Sequence, residues 1–420
     1  MKMKHTVLCM VSALTHTLTY ADNGFFQVGY GAEARGVGGA AAAVTLDVFG
    51  GASNPATTVW VGDRMEGGLA IIKGKTRMLR TTNATPLLDT QTDSEDATEA
   101  LGEFAYSKMI DKDLSASVVT YANGASTYLP ASTTICPTGP GNAMCGIGKT
   151  GVSIKQLILA PTLSKKVSDS VSVGASVLLA GQMFKAEGLQ MLAPSSLTPD
   201  SVTNQGASTA YGLGLRIGGF WRVNDMLSVG ASWSPKIRMS KFKDYKGLLP
   251  DQGRFDVPEN YLIGASLAVS KNLSFVVDYQ RINYGGVAAL ANKPFDGSNR
   301  FGTDDGAGNG WKNMDIYKVG VRYQASPVLR LSVGTSYNTA AFPDESTSAN
   351  INSPSTFRRH YTLGMGYATS PQSEWSVYYL YAPQHTTTGN SAIAAAFGVS
   401  GQDSVGTRQH ILGMQYSNRF

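Results

Sequence analysis

Catalysis by a side-chain nucleophile needs a base within hydrogen-bond reach, and this chain supplies few bases. His360, His385 and His410 fall on separate expected elements, near loops or strand ends, and no Ser/His/Asp set shows a recognisable spacing around them. The Gly-rich stretch "GYGAEARGVGGA", residues 29–40, invites reading as a phosphate cradle. A dinucleotide loop needs a strand before it and a βαβ unit after it, and neither is visible; no Gly-Lys-Ser/Thr loop is present either. Cys136 and Cys145 bracket "CPTGPGNAMC" with no His nearby, so the pair does not resemble a zinc site. In an exported chain it reads as a local disulfide stapling a Gly/Pro-rich loop. The acidic run from Asp89 to Glu99, with Asp93, Glu95, Asp96 and Glu99, reads as a solvated charge run rather than a cation site. No cofactor, metal or catalytic set is expected.

Export is supported by the first 21 residues: Lys2 and Lys4, an apolar run from Thr6 to Leu14, and the small-residue ending Thr19-Tyr20-Ala21 before Asp22. Removing this segment takes two lysines from the formal +5 and leaves about +3. No basic stripe or RNA-binding aromatic signature accompanies that near balance, so nucleic acid is not an expected partner. Of the 420 residues, 42% are hydrophobic and only 15% charged, with 47 Gly and 19 Tyr, which is too polar for membrane helices and weakly charged for a soluble enzyme. No window approaches the ~20 apolar residues of a spanning helix.

Alternation takes its place. Leu273, Phe275, Val277 and Tyr279 share one face while Ser274, Val276, Asp278 and Gln280 share the other; "LRLSVGTSYN" and "EWSVYYLY" repeat the pattern. Short turns are expected near residues 110–113, 165–170, 223–225, 270–272, 325–327 and 370–373. Long polar connections are expected near 75–101, 124–150, 188–208, 241–257, 286–311, 341–357 and 385–407. Six short turns alternating with seven long loops give fourteen strands, and that asymmetry is the mark of a bacterial outer-membrane barrel. Aromatics such as Trp233, Tyr261, Tyr337, Tyr361 and Trp375 recur near the expected strand ends, where amphipathic rings sit at membrane interfaces.

At this level of detail the chain resembles the FadL/TodX family of outer-membrane transporters of hydrophobic compounds. The similarity lies in "GFFQVGYGAEARGVGGAAAAVTLDVFGGASNPA", residues 24–56, in "FAYSKMIDKDLSASVVTYANG" with the following "LILAPTLSKKVSDSVSVGASVLLAGQMFKAEG", and in "GWKNMDIYKVGVRY". The resemblance implies an all-β, fourteen-stranded antiparallel transmembrane barrel with an N-terminal plug in the lumen. Residues 1–21 would be the signal peptide, 22–62 the plug ending at Asn54-Pro55-Ala56, and 63–420 the barrel. It implies passive uptake of hydrophobic small molecules, long-chain fatty acids first, with aromatic hydrocarbons by the same route as the alternative. An extracellular groove of Leu189, Met191, Leu192, Leu197, Leu248 and Leu249 would make the first capture. Lys312 or Lys185 would meet a fatty-acid carboxylate, since an isolated buried charge is costly. Phe25 and Phe26 would close the pocket from below, and Asn123-Gly124 would break the third strand to open the wall sideways. Outer-membrane lipid and lipopolysaccharide would surround the barrel, and the terminal Phe420 would be read by the barrel-assembly machinery.

Overall fold

Alternating residues give each strand one face for lipid and one for the interior, and closing the sheet on itself joins its first and last edges. The computed structural model describes residues 23–83, 88–95, 97–136 and 139–420; the expected export segment and Asp96 lie outside them. The wall consists of β1 (Arg64–Thr82), β2 (Ala97–Met109), β3 (Leu114–Leu129), β4 (Thr150–Lys166), β5 (Val171–Glu187), β6 (Ser208–Arg222) and β7 (Leu227–Ser234). It continues through β8 (Asn260–Ala268), β9 (Leu273–Ile282), β10 (Met314–Ser326), β11 (Leu329–Asn338), β12 (Arg359–Ala368), β13 (Ser373–Asn390) and β14 (Gly401–Arg419). Neighbours in this order pair antiparallel, and β1 closes the barrel on β14 from Arg64 opposite Arg419 to Thr82 opposite Gly401.

The short turns have a local cause. Asp111, Ser168, Asn224, Ser270 and Ser370 each accept a backbone N–H two or three residues on, which reverses the chain in a few residues. Several strands run further than alternation alone indicates: β1 continues to Thr82, β3 to Leu129 and β13 to Asn390. These ends carry Lys, Arg and Thr on the outer face, as expected where a strand rises beyond the hydrocarbon and no longer needs apolar residues facing out.

On the lipid face Leu69, Ile71, Val277, Val333, Leu363 and Leu412 stand exposed. Trp233, Tyr261, Tyr317, Tyr337 and Tyr361 ring the end that carries the long loops, and Trp221, Tyr323, Tyr367 and Trp375 ring the other. The intervening apolar band and its two aromatic girdles match a membrane-spanning wall.

Residues 23–62 stay out of the sheet and fill its interior. Charged and polar side chains facing inward hold their backbone: Glu66 accepts from Val48 N at 2.9 Å, Asp278 from Ala41 N and Ala42 N at 2.7 and 2.9 Å, and Gln415 from Ala32 N at 2.7 Å. Arg35 forms a two-pronged pair with Glu103, both contacts at 2.7 Å, and Glu33 meets Arg330 at 2.6 Å. Wall glycines let the segment touch the sheet; a Cβ on Gly230 would lie 1.9 Å from the Ala42 carbonyl oxygen. Asn54 caps the 3-10 helix Pro55–Trp60 through Ala56 N, and its amide donates to Ala42 O at 2.8 Å and Gly219 O at 3.0 Å. Ser164 and Ser172 donate to Ala56 O, so Asn54-Pro55-Ala56 pins the segment to β4, β5 and β6.

Candidate functional site

The ladder between β2 and β3 is incomplete. It runs only from Met109–Ser115 to Phe104–Thr120. Beyond that, Ala97–Glu103 remain paired with β1 and Tyr121–Leu129 with β4, and no ladder pair joins β2 to β3 among the described residues. Ala100 and Gly102 lie opposite Ile71 and Leu69 of β1, two residues of the lipid face, so this gap opens at membrane depth. Its far rim is closed where Glu95 N donates to Tyr128 O at 3.0 Å.

Backbone groups facing hydrocarbon need partners, and the N-terminal segment supplies one: Gly124 N donates to Phe25 O at 2.8 Å. Gly124 has φ +150°, a conformation that favours glycine. Beside it Asn123 accepts from Tyr30 Oη and donates to Gln156 Oε1, both at 2.8 Å. Thus Asn123-Gly124 does not begin a loop; it lies within β3, where the strand parts from β2 and meets the N-terminal segment.

Above that point the loops enclose a cavity of about 540 Å³. Leu189, Met191, Leu192, Leu248 and Leu249 line it together with Phe25, Phe255, Leu290, Trp311 and Ile393. Its lining contains no Lys, Arg or His among the described residues; Glu345, exposed at the rim, is the charged member. Phe25 forms the floor, packed on Phe26, Phe255 and Tyr284 with ring centroids 5.3, 5.5 and 5.5 Å away. Tyr284 Oη donates to Asn23 O and accepts from Phe25 N at 3.2 Å, and burial pushes its phenol well above its ordinary range, so it stays a neutral donor. The floor is therefore both apolar and hydrogen-bonded to the stretch that covers the gap.

The residues singled out in the sequence are distributed unevenly around this cavity. Leu197 is exposed and outside the lining, and Phe26 is buried behind Phe25. The Lys312 side chain is exposed and does not line the cavity, although its backbone N donates to Ala341 O at 2.6 Å. Lys185 lines a second, smaller hollow of about 260 Å³ with Lys149, Lys155, Glu95 and Glu99, and pairs with Glu187 at 2.9 Å. Ser126 of β3 borders both hollows. Its hydroxyl is buried without a hydrogen-bond partner among the described residues. Cys136 and Cys145 are joined in a disulfide, and neighbouring Met144 reaches the cavity.

Sequence reasoning passed over Leu290 and Ile393, which lie on short helices, Ala288–Ala291 and Ala392–Ala396, inside two long loops. Their signal was available: Val287, Leu290, Ile393 and Phe397 are large apolar residues within connections otherwise rich in small and polar residues. The histidines of the described residues lie apart from one another. His360 is buried against Ser336 at 3.0 Å, His410 meets Tyr379 Oη at 2.7 Å, and His385 lies on the extended end of β13. Within the acidic run, Asp93 pairs with Lys75 and Arg77, and no group of metal-ligating side chains occurs among the described residues.

A barrel of this girdled form, filled by its own N-terminal segment and topped by an apolar cavity beside a wall gap, is a bacterial outer-membrane transporter of hydrophobic compounds rather than an aqueous pore or an enzyme. The chain belongs to the outer membrane protein transport protein family (OMPP1/FadL/TodX), whose match spans residues 23–420. Its fold is similar to the toluene transporter TodX of Pseudomonas putida, with 16% identity, 93% of this chain and 99% of that chain covered, and a TM-score of 0.67. It is similar also to the toluene transporter TbuX of Ralstonia pickettii, at 16% identity, 93% and 98% coverage and a TM-score of 0.63. A FadL homologue of Pseudomonas aeruginosa gives 13% identity, 96% and 100% coverage and a TM-score of 0.66. No curated protein sequence matches the chain.

Proposed function

We propose that this protein takes up uncharged hydrocarbons, aromatic ones foremost, by passive movement from the loop cavity past Phe25 and out through the gap between β2 and β3 into the membrane. Residues 22–62 act as the plug, Asn54-Pro55-Ala56 as its anchor, and Asn123-Gly124 as the hinge of the opening. The observation that carries this reading is the cavity lining: mostly apolar, with Ser, Thr and Asn residues among it but no cation among the described residues to receive a carboxylate. An ionised group placed there would lose its hydration without gaining an opposite charge, whereas an uncharged ring loses little. TodX and TbuX are both toluene transporters, which agrees with that chemistry. Phe25 blocks the path to the gap, so release requires the plug's first residues to shift.

Long-chain fatty acid is the second reading, and one observation favours it. Lys155 and Lys185 face the smaller hollow that shares Ser126 with the main cavity, so a tail in one and a carboxylate in the other would both be accommodated. Lys312, exposed near the loops, would then act at the entrance. Phe420, exposed and stacked on Tyr106 at 5.8 Å, supports the expected contact with the barrel-assembly machinery.

Uptake of labelled toluene and labelled palmitate by cells with and without the protein separates these readings. Protein-dependent toluene flux exceeding palmitate flux is expected. Protein-dependent palmitate flux lowered by Lys185→Met, with toluene flux absent, establishes the second reading, and no protein-dependent flux of either compound refutes both.

A further inference from the structure

The seam where β1 meets β14 carries an arrangement that transport does not explain. On the outer face Lys73 stands directly opposite His410, and Lys75 directly opposite Arg408, with Arg77 next along β1. The like charges of Lys75 and Arg408, directly opposed in an antiparallel pair, repel. Asp93 accounts for part of the excess, lying 3.4 Å from Lys75 and 2.8 Å from Arg77. Lys73 and Arg408 have no carboxylate within ion-pair distance among the described residues, and both are exposed. Lys73, Lys75, Arg408 and His410 border a shallow hollow of about 430 Å³.

Depth identifies the occupant. Immediately below the cations, Leu69, Ile71, Leu412 and Met414 form part of the exposed apolar band. His410 lies level with the girdle, its ring 4.9 Å from Tyr381, and Tyr381 is opposite Tyr361. From β7 to β13 the girdle positions of this rim hold Tyr or Trp; at the seam they hold Lys, Arg and His. This is also the end bearing the long loops, the outward side of an outer-membrane barrel. A ligand matching both halves carries acyl chains against the apolar band and negative charge at the girdle.

We infer that the seam binds the phosphorylated sugar headgroup of an outer-leaflet glycolipid, lipid A chemistry, with Lys73 and Arg408 on phosphate and the acyl chains along Leu69, Ile71 and Leu412. The inference rests on the outer-membrane placement of the barrel and is independent of which compound the protein transports. The site adjoins the wall gap: Thr98 of β2 lies opposite Lys73. A glycolipid held here stands one strand away from the opening.

The test uses the full protein in non-ionic detergent micelles, titrated with diphosphoryl lipid A and read by native mass spectrometry. Lys73→Gln with Arg408→Gln is expected to weaken binding roughly twenty-fivefold, each cation near a lipid surface contributing about fivefold. Lys112→Gln, in a turn at the opposite end, is expected to leave binding unchanged, and heat-modifiable migration on gels verifies that each variant is folded. Lipid A stripped of both phosphates should bind the wild type as weakly as the double variant binds the intact lipid. Binding by the double variant within about twofold of wild type overturns the inference, as does equal affinity for the stripped lipid. Displacement of the lipid by equimolar inorganic phosphate would leave only an anion site and overturn the glycolipid assignment.

Discussion

Arg35 ties the N-terminal segment to β2, one edge of the wall gap, and its removal should loosen that segment by a calculable amount. The guanidinium and the Glu103 carboxylate are 2% and 3% exposed and make two contacts of 2.7 Å. Arg35→Met keeps much of the volume but strands a buried carboxylate, and breaking such a pair costs about 3–5 kcal/mol. Glu103→Met strands the guanidinium and should cost a similar amount. Replacing both with Met removes both desolvated charges at once, so the double variant should regain at least half of what either single variant loses. Two assays read this: protease cleavage within residues 23–62 in micelles, and current across planar bilayers, where a loosened segment admits ions. The single variants should be cleaved faster and show open bursts, and the double variant should resemble wild type. If the losses of the two single variants simply add in the double, the pair is not a coupled link and the reasoning fails.

Other consequences concern the cavity and its loops. Leu248→Asp places a carboxylate in the apolar lining and forfeits about 1.5–3 kcal/mol of apolar contact, so displacement of an apolar dye should show hydrocarbon binding at least tenfold weaker. Gly124→Val puts a β-branched residue at φ +150° where the backbone N–H holds Phe25, a strain of about 1–3 kcal/mol; toluene uptake should change while heat-modifiable migration does not. Cys136→Ser with Cys145→Ser opens a loop spanning a sequence separation of 9 and should lower its local stability by roughly 2.5–3 kcal/mol, seen as faster proteolysis between residues 139 and 149.

Much of the wall was legible because its causes are local. A turn closed by Asp111, Ser168 or Ser270 is visible in a few residues, and alternation such as that of Phe275 and Val277 against Val276 and Asp278 declares which face meets lipid. Strand ends above the membrane were not, because Thr386 or Arg77 has no apolar partner rhythm to mark it. The groove leucines were recognisable as apolar residues stranded in polar loops, and Leu189, Leu248 and Leu249 do line the cavity. Leu290 and Ile393 gave the same signal more faintly, on helices of four and five residues. The gap in the ladder had little local signature beyond Asn123-Gly124. Alternation through β3 continues across Thr120, and what replaces β2 there is Phe25, far away in the chain. Lys312 shows the reverse difficulty: its place beside a strand start is readable, but the direction of its side chain depends on loop packing.

The central claim is that hydrophobic solute leaves the loop cavity only when the N-terminal segment moves from the β3 edge. Phe25→Cys with Gly124→Cys places thiols at the two residues joined by the 2.8 Å backbone bond. Labelled toluene uptake by cells carrying this variant is the direct measurement, made with the disulfide formed and again after reduction. The account predicts uptake at the level of cells lacking the protein while the lock is closed, and recovery once it is reduced; equal flux in the two states would contradict it.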